Sequence, residues 1–318
     1  MTEAPGDIAF VGDAGTRFAR FTRDAMNTTF GVVLAIDDAA YAQQAAEAAF
    51  ECLAPMEQEL SRFIETSDVT RVSHAAPGEV HVIGADFVEC LKTASDVCVA
   101  TGGAFDVTVG ALAACWVDDA GRARTPSAKE IEDARRRTGM SLLQLDEERM
   151  AVAVTVEGVR VDLGGVAKGH ALDVMARTLA EWDVERALLD SGQSTVLALG
   201  APPGRDAWRL GLRDPGDQRS VLLEVDLRAA CVAGSGRHVH GAHIIDPRSA
   251  SPVTSRAATW SVAGTAATAD ALSTAFMVMS EDEVASYCAA HGGHVGMTFD
   301  AGNVRAHGQR DGFAAVRP

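Results

Sequence analysis

Four stretches of the chain hold polar or flat apolar groups at spacings that chemistry can use. From Val161 to Gly169 the order is Val-Asp-Leu-Gly-Gly-Val-Ala-Lys-Gly, with two glycines between a strand-like run and a helix-like one and Lys168 just inside the helix. Glycines let a backbone approach an anion, amides at a helix start point at it, and a lysine adds a point charge. The segment reads either as a phosphate cradle or as a tight turn with a solvated lysine. It has neither the spacing of a Walker A loop nor that of a G-x-G-x-x-G dinucleotide turn. From Thr268 to Thr274, Asp270 and Thr274 stand four apart and share one helical face, with Ser273 beside them. A carboxylate and two hydroxyls suit Mg²⁺, which keeps several waters and takes further ligands from substrate phosphates. The alternative is a turn whose Asp and Thr bond backbone groups.

The other two stretches are less specific. In His243-Ile-Ile-Asp-Pro-Arg248 the alternation sends His243 and Ile245 to one side of a strand that Pro247 ends. A histidine beside a cleft can take a proton from an attacking hydroxyl, and a lone histidine is as readily a hydrogen-bonded structural residue. His238 and His240 raise the question of zinc, but no Cys or carboxylate stands at zinc spacing from them. Gly102-Gly-Ala-Phe-Asp-Val-Thr-Val-Gly110 follows a helix. Phe105 is placed to lie against a flat ring and Asp106 to reach a ribose hydroxyl or a backbone amide, and a helix C-cap with a core Phe fits equally well.

These segments must be positioned by ordinary elements. Thr29 to Ile36 is a β-branched strand run, and Asp38 to Leu60 has helical spacing interrupted at Pro55. Phe87, Cys90, Leu91, Ala94, Val97 and Cys98 form one apolar helical stripe that ends near Gly102. Residues 118 to 137 read as a surface excursion with a short helix after Ser127. Val159 to Leu163 reads as a strand and Ala167 to Trp182 as a helix. Further strands are expected at Arg186–Leu189, Thr195–Leu199, Trp208–Leu212, Val221–Val225 and Thr259–Val262, and helices at Ala267–Met279 and Glu281–His291. Strands and helices mix without strict alternation, so the expected class is α+β.

The 318 residues, 47% hydrophobic and 23% charged, are enough for a sizeable core without staples. A net charge of −16 argues against a nucleic-acid partner. It also means that an anionic ligand needs a bound cation or a local patch of donors. Six cysteines are scattered in apolar surroundings with no CxxC, which reads as buried, reduced thiols. No apolar run reaches the roughly 18 residues of a spanning helix, and no basic leader region is visible, so a cytoplasmic location is expected.

Taken in order, the motifs resemble the ApbE flavin transferase family from about Met26 to Gly308. Met26-Asn-Thr-Thr-Phe30 resembles the family's M-G-T-x-F, Ser61-Arg-Phe63 its serine-rich turn, and Gly102 to Leu112 its G-G-A-F-D-P-T-V-G-P-L element. Val161 to Asp173 resembles L-D-L-G-G-I-A-K-G-Y-A-V-D, Ser235 to Pro252 resembles S-G…H-I-I-D-P-R-T-G-x-P, and Ala269 to Ala275 reads A-D-A-L-S-T-A. The resemblance implies a single two-lobed α+β unit over residues 21–318, after an N-terminal extension of residues 1–20, with FAD in a central cleft. It implies flavin contacts at Met26, Phe63, Ala104, Phe105, Asp106, Asp162, Lys168 and Ile244. Gly165, Asp270, Ser273 and Thr274 would surround Mg²⁺, and His243 would be the acid/base group. The implied reaction moves FMN from FAD to a Thr or Ser hydroxyl of an acceptor flavoprotein and releases AMP. An FAD pyrophosphatase and a non-catalytic FAD-binding protein are the alternatives. Asn27, Phe63, Asp190 to Ser194 and Ser249 to Ser251 depart from the family's usual residues.

Overall fold

The computed structural model describes residues 8–10, 18–118, 121–192, 194–217, 219–236, 244–300 and 302–316. In chain order, β1 (Ile8–Phe10), β2 (Ala19–Ala25) and β3 (Thr28–Leu34) precede the helices α1 (Ala39–Phe50), α2 (Leu53–Leu60) and α3 (Asp68–Ser73). Then come β4 (Val80–Val82), α4 (Ala85–Ala100), α5 (Gly110–Cys115), α6 (Ala128–Arg135), β5 (Leu143–Asp146), β6 (Ala151–Val154) and α7 (Ala167–Glu181). The strands β7 (Ala187–Ser191), β8 (Thr195–Leu199), β9 (Trp208–Arg213), β10 (Val221–Leu227), β11 (Ala230–Gly236), β12 (Ile245–Asp246), β13 (Ser251–Pro252) and β14 (Ala258–Ala263) follow. The chain closes with α8 (Ala266–Val278), α9 (Glu281–Ala290), β15 (Val295–Asp300), β16 (Asn303–Gly308) and β17 (Phe313–Val316).

Among the described residues the largest sheet has eight strands in the order β16-β15-β14-β11-β8-β7-β3-β2. Its two faces are both buried, and the period of two along each strand divides the side chains between them. Phe30, Val32, Leu34, Leu189, Leu197 and Ala233 face a core shared with α1, α2, α4, α7 and α8. Val33, Leu188, Val196, Val232, Trp260 and Val262 face the other way and pack against a four-stranded sheet, β1-β9-β10-β17. Trp208 and Trp260 fill that second layer and are fully buried. A helix layer on a sheet that backs onto another sheet is an α+β architecture. Residues 1–20, expected as an extension, are in part built into it: Ile8 is buried and β1 pairs with β9.

Local chemistry explains most element boundaries. The interruption at Pro55 is a break between α1 and α2, with Pro55 in the first turn of α2, where its missing N–H costs nothing. Ser127 and Ser280 start α6 and α9 with reciprocal capping boxes to Glu130 and Glu283. The strand expected at Val159–Leu163 is instead an extended segment held by separate bonds. Arg160 forms a lone bridge with Val109, the Val161 amide donates to Ser73 Oγ at 3.0 Å, and the Asp162 amide donates to the Val107 carbonyl at 2.7 Å. Among the described residues no strand runs alongside it to make a ladder. All six cysteines are free.

Candidate functional site

The site is organised where the N-terminal turns of α7 and α8 cross. Asp173, on α7, accepts the amides of Ala266 and Ala267 at 2.8 and 2.9 Å and so caps α8. Asp270, on α8, accepts the Gly169 amide at 3.2 Å in the first turn of α7. Each helix thus satisfies orphan amides of the other, and each carboxylate sits at the positive end of a helix dipole. Burial pushes the Asp173 carboxyl above its ordinary range, with the two amides and nearby cations pulling against it. The crossing is close because residue 169 is glycine: a Cβ there would lie 2.2 Å from the Ala266 carbonyl oxygen.

Of the α8 motif, Asp270 meets the first turn of α7 and Thr274 meets the Gly165 turn before it. Asp270 is buried and uses Oδ2 for the Gly169 amide, while Oδ1 has no hydrogen bond among the described residues. A Cβ on Gly165 would lie 3.1 Å from Thr274 Oγ1 and 3.0 Å from Phe105 Cε2, so this small residue leaves a cradle facing the hydroxyl and the ring edge. Ser273 is fully buried one step behind, its Oγ 2.8 Å from the Asp270 carbonyl oxygen and 2.7 Å from Ser235 Oγ. A hard-oxygen donor set of one free carboxylate oxygen and one half-exposed hydroxyl, next to backbone with no side chain in the way, fits a Mg²⁺ ion that keeps most of its waters.

Met26, Phe63, Asp162 and Lys168 come together around one small cleft of about 110 Å³, beside Asn27 and Gly164. Met26 and Asn27 form the two-residue turn between β2 and β3, both with positive φ, 50° and 57°. Such primed hairpin turns need left-handed residues, and asparagine adopts that conformation more readily than most. Lys168 donates Nζ to the Gly164 carbonyl at 2.6 Å, which holds its ammonium over the turn. Asp162 accepts the Gly164 amide at 2.9 Å and Arg62 Nη1 at 2.6 Å. The Arg62 guanidinium also lies 4.8 Å from the centroid of the Phe63 ring, which is 70% exposed. A larger cleft of about 950 Å³ begins on the other side of the Arg62–Asp162 pair and extends to Trp116 and Arg160.

Not every expected contact lies on these clefts. Asp106 takes the backbone-amide alternative: Thr108 donates its amide and hydroxyl to Oδ1 at 2.7 and 2.6 Å, and the Met140 amide donates to Oδ2 at 3.1 Å. Burial raises its carboxyl above the ordinary range, against the pull of those bonds. Ala104 and Phe105 are buried after a helix C-cap in which the Gly103 amide reaches the Cys98 carbonyl at 2.8 Å. Only the Phe105 edge reaches the Gly165 cradle. Ile244 packs with Val253 and Met277 in a separate apolar cluster. His243, with His238 and His240, lies outside the described residues. Sequence reasoning passed over Arg62, Asp173 and Ser235 as site residues although all three stand inside the motifs it singled out.

Comparison with known proteins accords with this geometry. A family model described as the ApbE family matches residues 26–299, and the chain belongs to that family. It is 27% identical over 238 residues to the FAD:protein FMN transferase of Klebsiella pneumoniae (strain 342), covering 70% of this chain and 68% of the relative. A Vibrio cholerae FAD:protein FMN transferase is 28% identical over 242 residues, 72% of each chain. The solved structure of the ApbE protein from Thermotoga maritima superposes with a TM-score of 0.81 at 29% identity, over 92% of this chain and 97% of that one. The flavin transferase ApbE from Vibrio cholerae shares the fold, with a TM-score of 0.78 at 24% identity over 92% and 96% of the two chains.

Proposed function

We propose that this chain is a Mg²⁺-dependent FAD:protein FMN transferase that esterifies FMN to a Thr or Ser hydroxyl of an acceptor flavoprotein and releases AMP. The observation that carries the reading is the pair one helical turn apart on α8, the Asp270 carboxylate with Oδ1 unbonded among the described residues and the Thr274 hydroxyl beside Gly165, next to the cleft of Met26, Phe63 and Lys168. Asp270 and Thr274 would hold the cation, with Ser273 supporting from behind. The ion supplies neutralisation of the diphosphate charge that an acidic protein would otherwise repel. Lys168 places a further positive charge at the same turn, and Phe63 offers an exposed ring for stacking.

In the transfer, the acceptor oxygen forms a bond to the FMN phosphorus, the P–O bond of the diphosphate bridge breaks, and AMP leaves with the bridging oxygen. The acceptor hydroxyl's proton goes to a base, for which His243 is proposed on its sequence motif alone. In this reading Phe105 frames the site at Gly165, while Ala104, Asp106 and Ile244 are proposed as flavin contacts on their motifs alone.

The test is incubation of purified protein with FAD, Mg²⁺ and a co-expressed candidate acceptor, followed by nucleotide chromatography and intact-mass spectrometry. Equal amounts of AMP and of acceptor carrying one FMN are expected. AMP without protein-bound flavin would make the protein a pyrophosphatase, and unaltered FAD would make it a flavin-binding protein without transfer activity.

A further inference from the structure

The hydroxyls around α8 have a direction that their distances alone do not state. Ser273 Oγ lies 2.8 Å from the Asp270 carbonyl, an acceptor only, so the Ser273 proton points there. Ser235 Oγ, on β11, is 2.7 Å from Ser273 Oγ. With the Ser273 proton already placed, Ser235 must be the donor in that pair. Ser235 Oγ is also 3.3 Å from Thr274 Oγ1, and with its single proton directed at Ser273 it can only accept there. The relay therefore runs from Thr274 to Ser235 to Ser273 to the Asp270 carbonyl. Its end result is that the Thr274 proton is turned toward β11 and the Thr274 lone pairs are left facing the Gly165 cradle. The Thr274 hydroxyl has no other hydrogen-bond partner among the described residues.

We propose that Ser235 is a positioning residue for the cation site, orienting the Thr274 hydroxyl so that it presents lone pairs rather than a proton. The inference rests on the proposed cation site at Asp270 and Thr274. Ser235 is itself held in place. It pairs across the sheet with Thr259, whose hydroxyl donates to the Ser273 carbonyl at 2.7 Å, so the strand pair β11 and β14 seats both α8 and the relay. Without Ser235, the Thr274 hydroxyl loses that pre-orientation and must be turned by the cation on binding, which weakens the site.

The test compares wild type with Ser235→Ala, Ser235→Thr, Thr274→Val and the double variant Ser235→Ala/Thr274→Val. Mn²⁺ binding to the FAD-loaded protein is followed by electron paramagnetic resonance, and the Mg²⁺ concentration for half-maximal transfer is measured alongside. Loss of one oriented hydrogen bond corresponds to roughly 2- to 10-fold in binding. Ser235→Ala is expected to weaken Mn²⁺ binding and raise half-saturating Mg²⁺ by about that factor, with the rate at saturating Mg²⁺ largely restored. Ser235→Thr, which keeps the hydroxyl, is expected to stay close to wild type. In the Thr274→Val background Ser235→Ala is expected to add almost nothing, because the two act as one unit. Wild-type Mn²⁺ affinity in Ser235→Ala, or full additivity in the double variant, would overturn the positioning role while leaving the cation site standing. Absence of Mn²⁺ binding by the wild-type protein would overturn the site and the role together.

Discussion

Gly169→Ala tests the reciprocal capping that holds the site, because the two helices can cross so closely only without a side chain at that position. The new Cβ would stand 2.2 Å from the Ala266 carbonyl oxygen and 2.7 Å from Ala267 Cα, both backbone atoms that cannot rotate away. Non-bonded carbon contacts are comfortable near 3.5 Å, so α7 and α8 must part by about 1 Å. Forcing an extra methyl into a packed interface costs about 1–3 kcal/mol. The separation also stretches the bonds from Asp173 to the Ala266 and Ala267 amides and from Asp270 to the Gly169 amide, now 2.8, 2.9 and 3.2 Å. Bonds to charged groups are worth about 1.5–3 kcal/mol each, so weakening them adds one or two more. Alanine's helix preference over glycine returns about 1 kcal/mol. The expected balance is a loss of about 1–4 kcal/mol, which in a chain of this size lowers Tm by roughly 2–6 °C. Thermal denaturation followed by circular dichroism measures it, and Mn²⁺ binding is expected to weaken in the same variant. A Tm equal to or above that of wild type would refute the argument that close crossing, rather than helix propensity, decides residue 169.

Two further outcomes are expected. Asp270→Asn keeps an oxygen for the Gly169 amide and should fold, yet lose transfer activity by at least about 100-fold, partly recovered at high Mg²⁺ or with Mn²⁺. Wild-type rates at limiting Mg²⁺ would clear the carboxylate of a role. Burial, helped by Asp86 and Asp106 respectively, pushes the Cys52 and Cys98 thiols up to about 11. A raised thiol pKa leaves less than about one molecule in a thousand as thiolate at pH 7.5, so both should resist N-ethylmaleimide in the folded protein and react on unfolding. Native labelling at the rate of a free thiol, read by mass spectrometry, would contradict that environment.

What was legible in the sequence follows from how local each signal is. The stripe of α4, the start of α6 after Ser127 and the helical spacing of α7, α8 and α9 are written within a few residues, and the structure has these boundaries within a residue or two of those expected. The strand β11, Ala-Cys-Val-Ala-Gly-Ser-Gly, shows no such signal, since its small residues have weak strand preference and read as a turn. It is a strand because β8 and β14 flank it and α8 packs closely over it, and Ser235 meets Ser273 only there. The same limit hid the caps of Asp173 and Asp270, whose partners lie in a distant helix.

The departures from the family's motifs resolve on the backbone. Asn27 stands at φ 57° where the motif has glycine, and Ala250, in the loop that lacks the usual T-G-x, also stands at φ 57° with its carbonyl accepting Trp116 Nε1 at 3.1 Å. Both turns keep the left-handed conformation the glycines would have supplied, Asn27 at little cost and Ala250 at about 1 kcal/mol or more, offset by its burial and that hydrogen bond. Phe63 differs in kind: it is exposed and lies under the Arg62 guanidinium, so the motif's tyrosine hydroxyl is absent from a side chain that faces the cleft. If this chain grips flavin differently from its relatives, the difference originates at Phe63, where the side chain and not the main chain has changed.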